Sequence, residues 1–196
     1  PKSGNTYVRA FLSAYYFSEK GEFDFSQISR IDQFPHEKFF KEKVNNISEA
    51  SKQWVPVQRQ INKDKKIRFF KTHSFLGNYQ GNQFTSPETT LGAIYIVRDP
   101  RNVLSSLKNH YSFDDDQALK MIKDKTRSLM SNNGSHASLT YISSWSENYL
   151  SWLRNNQFRR LFIKYEDLIT NKYETFRDVI VFTNTLMNKV EGVNKS

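Results

Sequence analysis

The sequence predicts an α/β fold, a parallel β-sheet flanked by helices. Three short apolar runs carry that expectation: IRFFKTH (67–73), LGAIYIVRDP (91–100) and RRLFIKY (159–165). The first two are short and rich in β-branched or aromatic residues, the pattern of buried parallel strands, and the third is a strand candidate that follows a long helical stretch. Helical patterns separate the runs, and strands that alternate with helices pair in parallel. A sheet of three to five strands is expected.

The segments between the runs read as follows. Tyr7 to Tyr16 is apolar, follows the glycine of PKSGNT and stops near Lys20-Gly21, so a loop should enter a buried helix there. Phe34 to about Ile61 has a mixed helical pattern with aromatics at Phe39, Phe40 and Trp54, and Pro56 should break it. Pro100 suits the first turn of the helix PRNVLSSLKNHY. Asp114-Asp115-Asp116 should open a helix running to Met130, its acids and later lysines both complementing the helix dipole. A further helix is expected from about Leu139 to Asn155, with Trp145 and Trp152 packing from one face.

Composition narrows the classes of function. With 196 residues the chain suits one domain with a real core, and no apolar run approaches the ~18 residues of a membrane span. The absence of cysteine excludes disulfides, thiolate metal sites and cysteine nucleophiles. A formal charge of +9 favours anionic partners, among them nucleic acid, anionic lipid, sulfated glycans and nucleotides.

In parallel α/β folds ligands bind beyond the carboxyl ends of the strands. Polar residues stand there after each apolar run: Lys71, Thr72 and His73; Arg98 and Asp99; Tyr165, Glu166 and Asp167. The opening PKSGNTY adds a lysine, a permissive glycine and two hydroxyls ahead of a helix, a combination that holds phosphate or sulfate. It differs from the GxxxxGK[ST] loop of kinases because its lysine precedes the glycine. Asp99 could end a magnesium-binding strand, but Arg98 immediately before it would neutralise that site. His36, His110 and His136 read as ordinary residues.

Four of these segments resemble one family in its own order. PKSGNTY resembles the 5′-phosphosulfate loop PKSGTTW of sulfotransferases that use 3′-phosphoadenosine 5′-phosphosulfate (PAPS), and FKTH resembles the strand end carrying their catalytic histidine. IVRDPRNVLSSLKNHY resembles their 3′-phosphate segment, with a serine eight residues after the arginine, and FIKYEDL resembles their YEDL stretch. The resemblance implies a P-loop nucleotide-hydrolase-like three-layer sandwich. It implies that Lys2, Ser3, Gly4, Asn5 and Thr6 wrap the 5′-phosphosulfate, with Tyr7 where the family often has a tryptophan beside the adenine. Arg98 and Ser106 would bind the 3′-phosphate and Tyr165 would approach the adenine. His73 would be the general base, with Lys71 near the transferring group and Lys2 neutralising the leaving phosphate.

The expected activity is therefore sulfuryl transfer from PAPS to an acceptor hydroxyl or amine, without a metal. The acceptor would be a small molecule or glycan, bound by the loops Phe17–Gln33, Ser74–Pro87 and Ser131–Ser138. Nucleic acid is not an expected partner, and a cytoplasmic location is expected. Residues 1–196 would form a single domain lacking the family's strand ahead of PKSG and its later RKGxxGDWK segment. Two other classes remain open from the residues alone, a metal-dependent nucleotide phosphotransferase and a non-catalytic basic domain binding nucleic acid or glycans.

Overall fold

The computed structural model describes residues 3–133 and 136–193, without the side chains of 131–137 and 189–193. Helix α1 (Asn5–Phe17) is followed by β1 (Asp32–Gln33), α2 (Ile47–Ile61) and β2 (Phe70–Lys71). A small hairpin, β3 (Asn78–Tyr79) and β4 (Asn82–Gln83), leads to β5 (Gly92–Val97), α3 (Pro100–Tyr111) and α4 (Asp115–Lys123). A second hairpin, β6 (Ser128–Asn133) and β7 (His136–Tyr141), precedes α5 (Trp145–Arg154). The chain ends through β8 (Arg159–Lys164), α6 (Tyr165–Thr170) and α7 (Lys172–Val193).

Strands β5 and β8 pair in parallel, from Gly92 opposite Arg159 to Val97 opposite Lys164. Both faces of the pair are covered, so the centres of the two strands, Ala93–Val97 and Leu161–Ile163, are apolar without interruption. Ile94, Ile96, Leu161 and Ile163 pack against Val8 and Leu12 of α1 and against Phe176 and Val179 of α7. Ala93, Tyr95 and Phe162 pack the other way, against Trp54 and Val57 of α2 and Trp152 of α5. Full burial of such a side chain is worth roughly 1.5–3 kcal/mol; Ile163 reaches it and the other six are half-buried, so the pair still anchors the core.

The fold is α/β, but the expected sheet of three to five strands is divided. The run at 67–73 contributes only Phe70 and Lys71, paired in parallel with Asp32 and Gln33. Residues 65–74 and 91–98 do not bond to each other; both line one cavity of about 540 Å³.

Four helix boundaries also differ from expectation, the first being the start of α2 at Ile47 where the helical pattern was read from Phe34. Helix α2 continues through Pro56, because Asn46 caps it by accepting from the Glu49 N–H at 3.0 Å and its buried Ala50, Ser51, Trp54 and Val57 fix one face. That packing outweighs the lost backbone bond at proline. Helix α4 opens as read, with Asp114 and Gln117 in a reciprocal capping box, but it stops at Lys123. There Asp124 accepts from the Thr126 N–H at 2.8 Å and hydroxyl at 2.7 Å, a local turn that competes with the helix. The residues that follow form the β6–β7 hairpin, so the last helix before β8 begins at Trp145 and not near Leu139. Among the described residues no helix is long and apolar enough to cross a membrane.

Candidate active site

The register of β5 and β8 builds the centre of the site. Val97 lies opposite Lys164, so Arg98 and Tyr165 leave adjacent strand ends together. The Arg98 guanidinium carbon lies 4.3 Å from the centre of the Tyr165 ring. Gly4 meets the same ring from the N-terminus of α1. Its φ of +88° suits glycine, and a Cβ there would fall 2.8 Å from Tyr165 Cδ2. Asp99 does not compete for Arg98: it caps α3 by accepting from the Arg101 N–H at 2.8 Å and pairs with the Arg101 side chain.

Two concave regions share Arg98. One is an open groove of about 570 Å³ lined by Gly4, Thr6, Tyr7, Arg98, Ser106, Tyr165, Ile169 and Lys172. Six of these eight were expected from sequence to meet the nucleotide. Ile169 and Lys172 were missed, although Ile169 is four residues beyond Tyr165 on α6 and so shares its face. Lys172 is the first residue of α7, placed at the groove by the tight connection from α6.

The second region is the 540 Å³ cavity, whose wall includes Ser3, Asn5, Arg9, Lys71, Thr72, His73, Arg98 and Arg127. The loop ahead of α1 therefore contributes to both regions, Ser3 and Asn5 to the cavity and Gly4, Thr6 and Tyr7 to the groove. Lys2 lies outside the described residues. No Asp or Glu lines the cavity among the described residues, which leaves its basic side chains facing a space suited to anions.

His73 is held from behind. Its carbonyl accepts from Asn148 Nδ2 at 3.2 Å; Asn148 also donates to the Ile142 carbonyl at 2.8 Å and accepts from the Tyr95 hydroxyl at 3.0 Å. Sequence reasoning missed this strut because an asparagine on a helix carries no motif. Burial, reinforced by the charges of Lys71, Arg127 and Arg9, holds the His73 pKa well below the usual imidazole value. The ring is thus neutral at pH 7 and able to accept a proton. Burial, and secondarily Arg9, pushes the Lys71 ammonium down to about 8. Lys71 Nζ donates to Gln33 Oε1 at 2.8 Å. Thr72 turns the chain beyond it, accepting from the Ser74 N–H at 3.0 Å.

The other histidines have local surroundings. His36 caps a short turn by accepting from the Lys38 N–H at 3.2 Å, and His110 packs edge-on against Tyr111. The side chain of His136 lies outside the described residues. Of the expected acceptor loops, Ile31, Ser74, Phe84 and Thr85 reach the cavity wall, whereas most of 131–138 falls among the side chains not described.

Residues 1–193 match the sulfotransferase domain family, and the chain belongs to that family. No curated protein matches the chain. A sulfotransferase domain moves a sulfuryl group onto an acceptor, which agrees with a cavity lined by several basic side chains.

Proposed function

We propose that the chain transfers a sulfuryl group from PAPS to a hydroxyl or amine of a small-molecule or glycan acceptor. The observation that carries this reading is the shared wall at Arg98. The groove holding Thr6, Tyr7, Ser106 and Tyr165 meets there with the cavity holding Lys71 and His73. A donor with its nucleotide in the groove would present its sulfate end toward the histidine.

The groove fits such a donor chemically. Arg98 and Lys172 supply charge, Thr6 and Ser106 supply hydroxyl donors, and Tyr7 and Tyr165 supply aromatic faces for adenine. Arg98 and Ser106 bind the 3′-phosphate; Ser3, Gly4, Asn5 and Thr6, with Lys2, wrap the 5′-phosphosulfate. The frame we adopt is the P-loop-like three-layer sandwich, supported by the helices on both faces of the β5–β8 pair.

In the transfer the acceptor oxygen or nitrogen forms a bond to sulfur while the bond from sulfur to the phosphate oxygen breaks. His73 takes the acceptor's proton, and Lys71 and Lys2 offset charge on the departing phosphate. Positioning and charge stabilisation do most of the work in such a displacement.

Paired variants test this. Arg98→Ala is expected to weaken binding of adenosine 3′,5′-bisphosphate by about 10–100-fold, the loss of charge-assisted hydrogen bonds worth roughly 1.5–3 kcal/mol. His73→Ala should leave that affinity near wild type while turnover of an alcohol acceptor falls about 10²–10⁴-fold. Unchanged bisphosphate affinity in Arg98→Ala, or normal turnover in His73→Ala, would remove the corresponding role.

A further inference from the structure

Arg127 occupies the cavity with no role in the transfer described so far. It lies just beyond α4 at the foot of the β6–β7 hairpin, where its carbonyl accepts from the Ile142 N–H at 2.9 Å and the Ser143 N–H at 3.1 Å. Those bonds fix its backbone, and Tyr111 stands beside its side chain. The neighbouring Asp124 is engaged with Thr126. Yet Nε and Nη2 of Arg127 are both buried without a hydrogen-bond partner.

These two atoms form one edge of the guanidinium, with their N–H bonds nearly parallel, and that edge accepts both oxygens of a carboxylate or sulfate. Arg101 uses the same edge in this protein, donating from Nε and Nη2 to the carboxylate of Asp99. A half-buried charge with two buried, unmet donors is costly, and an anion arriving from the cavity would satisfy them. The cavity offers no carboxylate of its own among the described residues. Arg127 lines the chamber of His73 but not the groove of Ser106 and Lys172, which places it on the acceptor's side.

We infer that the acceptor carries an anionic group, a carboxylate or sulfate ester, which Arg127 grips side-on while the acceptor's hydroxyl or amine meets His73. This rests on the sulfuryl-transfer reading and adds the acceptor's class to it. Arg127 is then a specificity-determining residue, and its buried fork selects against neutral analogues of similar shape.

Matched pairs of acceptors test it, with PAPS as donor: 4-hydroxyphenylacetate against 4-hydroxyphenylethanol, methyl glucuronide against methyl glucoside, and N-acetylglucosamine 6-sulfate against N-acetylglucosamine. In at least one pair the anionic member should exceed its neutral partner by about tenfold or more in kcat/KM. Arg127→Met should bring that ratio near one, and Arg127→Lys should restore only part of it. KM for PAPS and affinity for adenosine 3′,5′-bisphosphate should stay within about twofold, which also shows that the variants fold. Equal or better use of the neutral member in every pair overturns the inference, as does a large rise in KM for PAPS in Arg127→Met, which would assign the fork to the donor. A wild-type protein that binds the bisphosphate but uses none of these acceptors overturns it as well. A wild-type protein that fails to bind the bisphosphate brings down the sulfuryl-transfer reading, and this inference with it.

Discussion

The groove at Arg98 and the hairpin side of the cavity are built by opposite strategies. The groove gathers residues from the ends of regular elements: Arg98 after β5, Tyr165 after β8, Ser106 on α3, Lys172 opening α7. Rigid elements packed into the core position those side chains, so the site inherits its precision. The hairpin side is held by scattered polar contacts. The Ser138 hydroxyl accepts from Gln33 Nε2 and donates to the Pro35 carbonyl at 2.7 Å, while Thr140 is buried beside it.

Lys172 offers the largest expected effect that would break this contrast. If the groove is a nucleotide site, Lys172→Gln should weaken adenosine 3′,5′-bisphosphate by about tenfold, the loss of one charge-assisted contact of roughly 1.5 kcal/mol. The effect should shrink at high salt, because the groove is open and its charges are screened. Calorimetric titration at two ionic strengths measures both. An unchanged affinity at low salt would remove Lys172 from the site.

The same contrast explains what was legible in the sequence. Strands β5 and β8 were readable because burial on both faces leaves an uninterrupted apolar run, and α1 and α3 because glycine and proline punctuate their starts. The strand at 67–73 shrank to two residues because apolar content does not by itself make a strand: Ile67 is exposed, and Phe69 to His73 are half-buried along the cavity wall. The hairpin was invisible for a different reason. Its inward residues include Ser138 and Thr140, so the alternation that marks a strand is absent, and neighbouring helix formers suggested helix over Asp114–Met130. Arg127 and Asn148 could not be singled out, since their significance lies in what their polar atoms meet, or fail to meet, in three dimensions.

Ser138→Ala sharpens the comparison from the other side. It leaves the Pro35 carbonyl and Gln33 amide without this partner, at a cost of about 1–3 kcal/mol. In a chain of this size that corresponds to a Tm lowered by a few degrees. Bisphosphate affinity should not move, because neither partner reaches the groove. Thermal unfolding with and without the bisphosphate separates the two quantities. A loss of nucleotide affinity matching the loss of stability would mean that the two sides are one cooperative unit.

The smallest expected effect lies at Lys71 in the cavity wall. Its ammonium donates to Gln33, which in turn donates to Ser138, so the hairpin and the transferring end communicate through one amide. With its pKa pushed down to about 8, Lys71 is charged at pH 7 and loses that charge as pH rises through 8. If the charge offsets the leaving phosphate, kcat should fall on an alkaline limb centred near 8, about half remaining at the midpoint. His73 sets the opposite limit: its pKa is already depressed, so the acid limb should fall well below the usual imidazole value. The Arg9 charge is a secondary cause of the Lys71 shift, after burial, so its removal should raise the Lys71 pKa and carry the alkaline limb to higher pH. Arg9→Gln keeps a donor for the Ile28 and Ile31 carbonyls that Arg9 holds at 2.9 and 2.7 Å, which limits the structural disturbance. Rate profiles of wild type and Arg9→Gln between pH 5 and 10 decide the matter. An alkaline limb that stays in place in the variant would show that the titrating group is not Lys71.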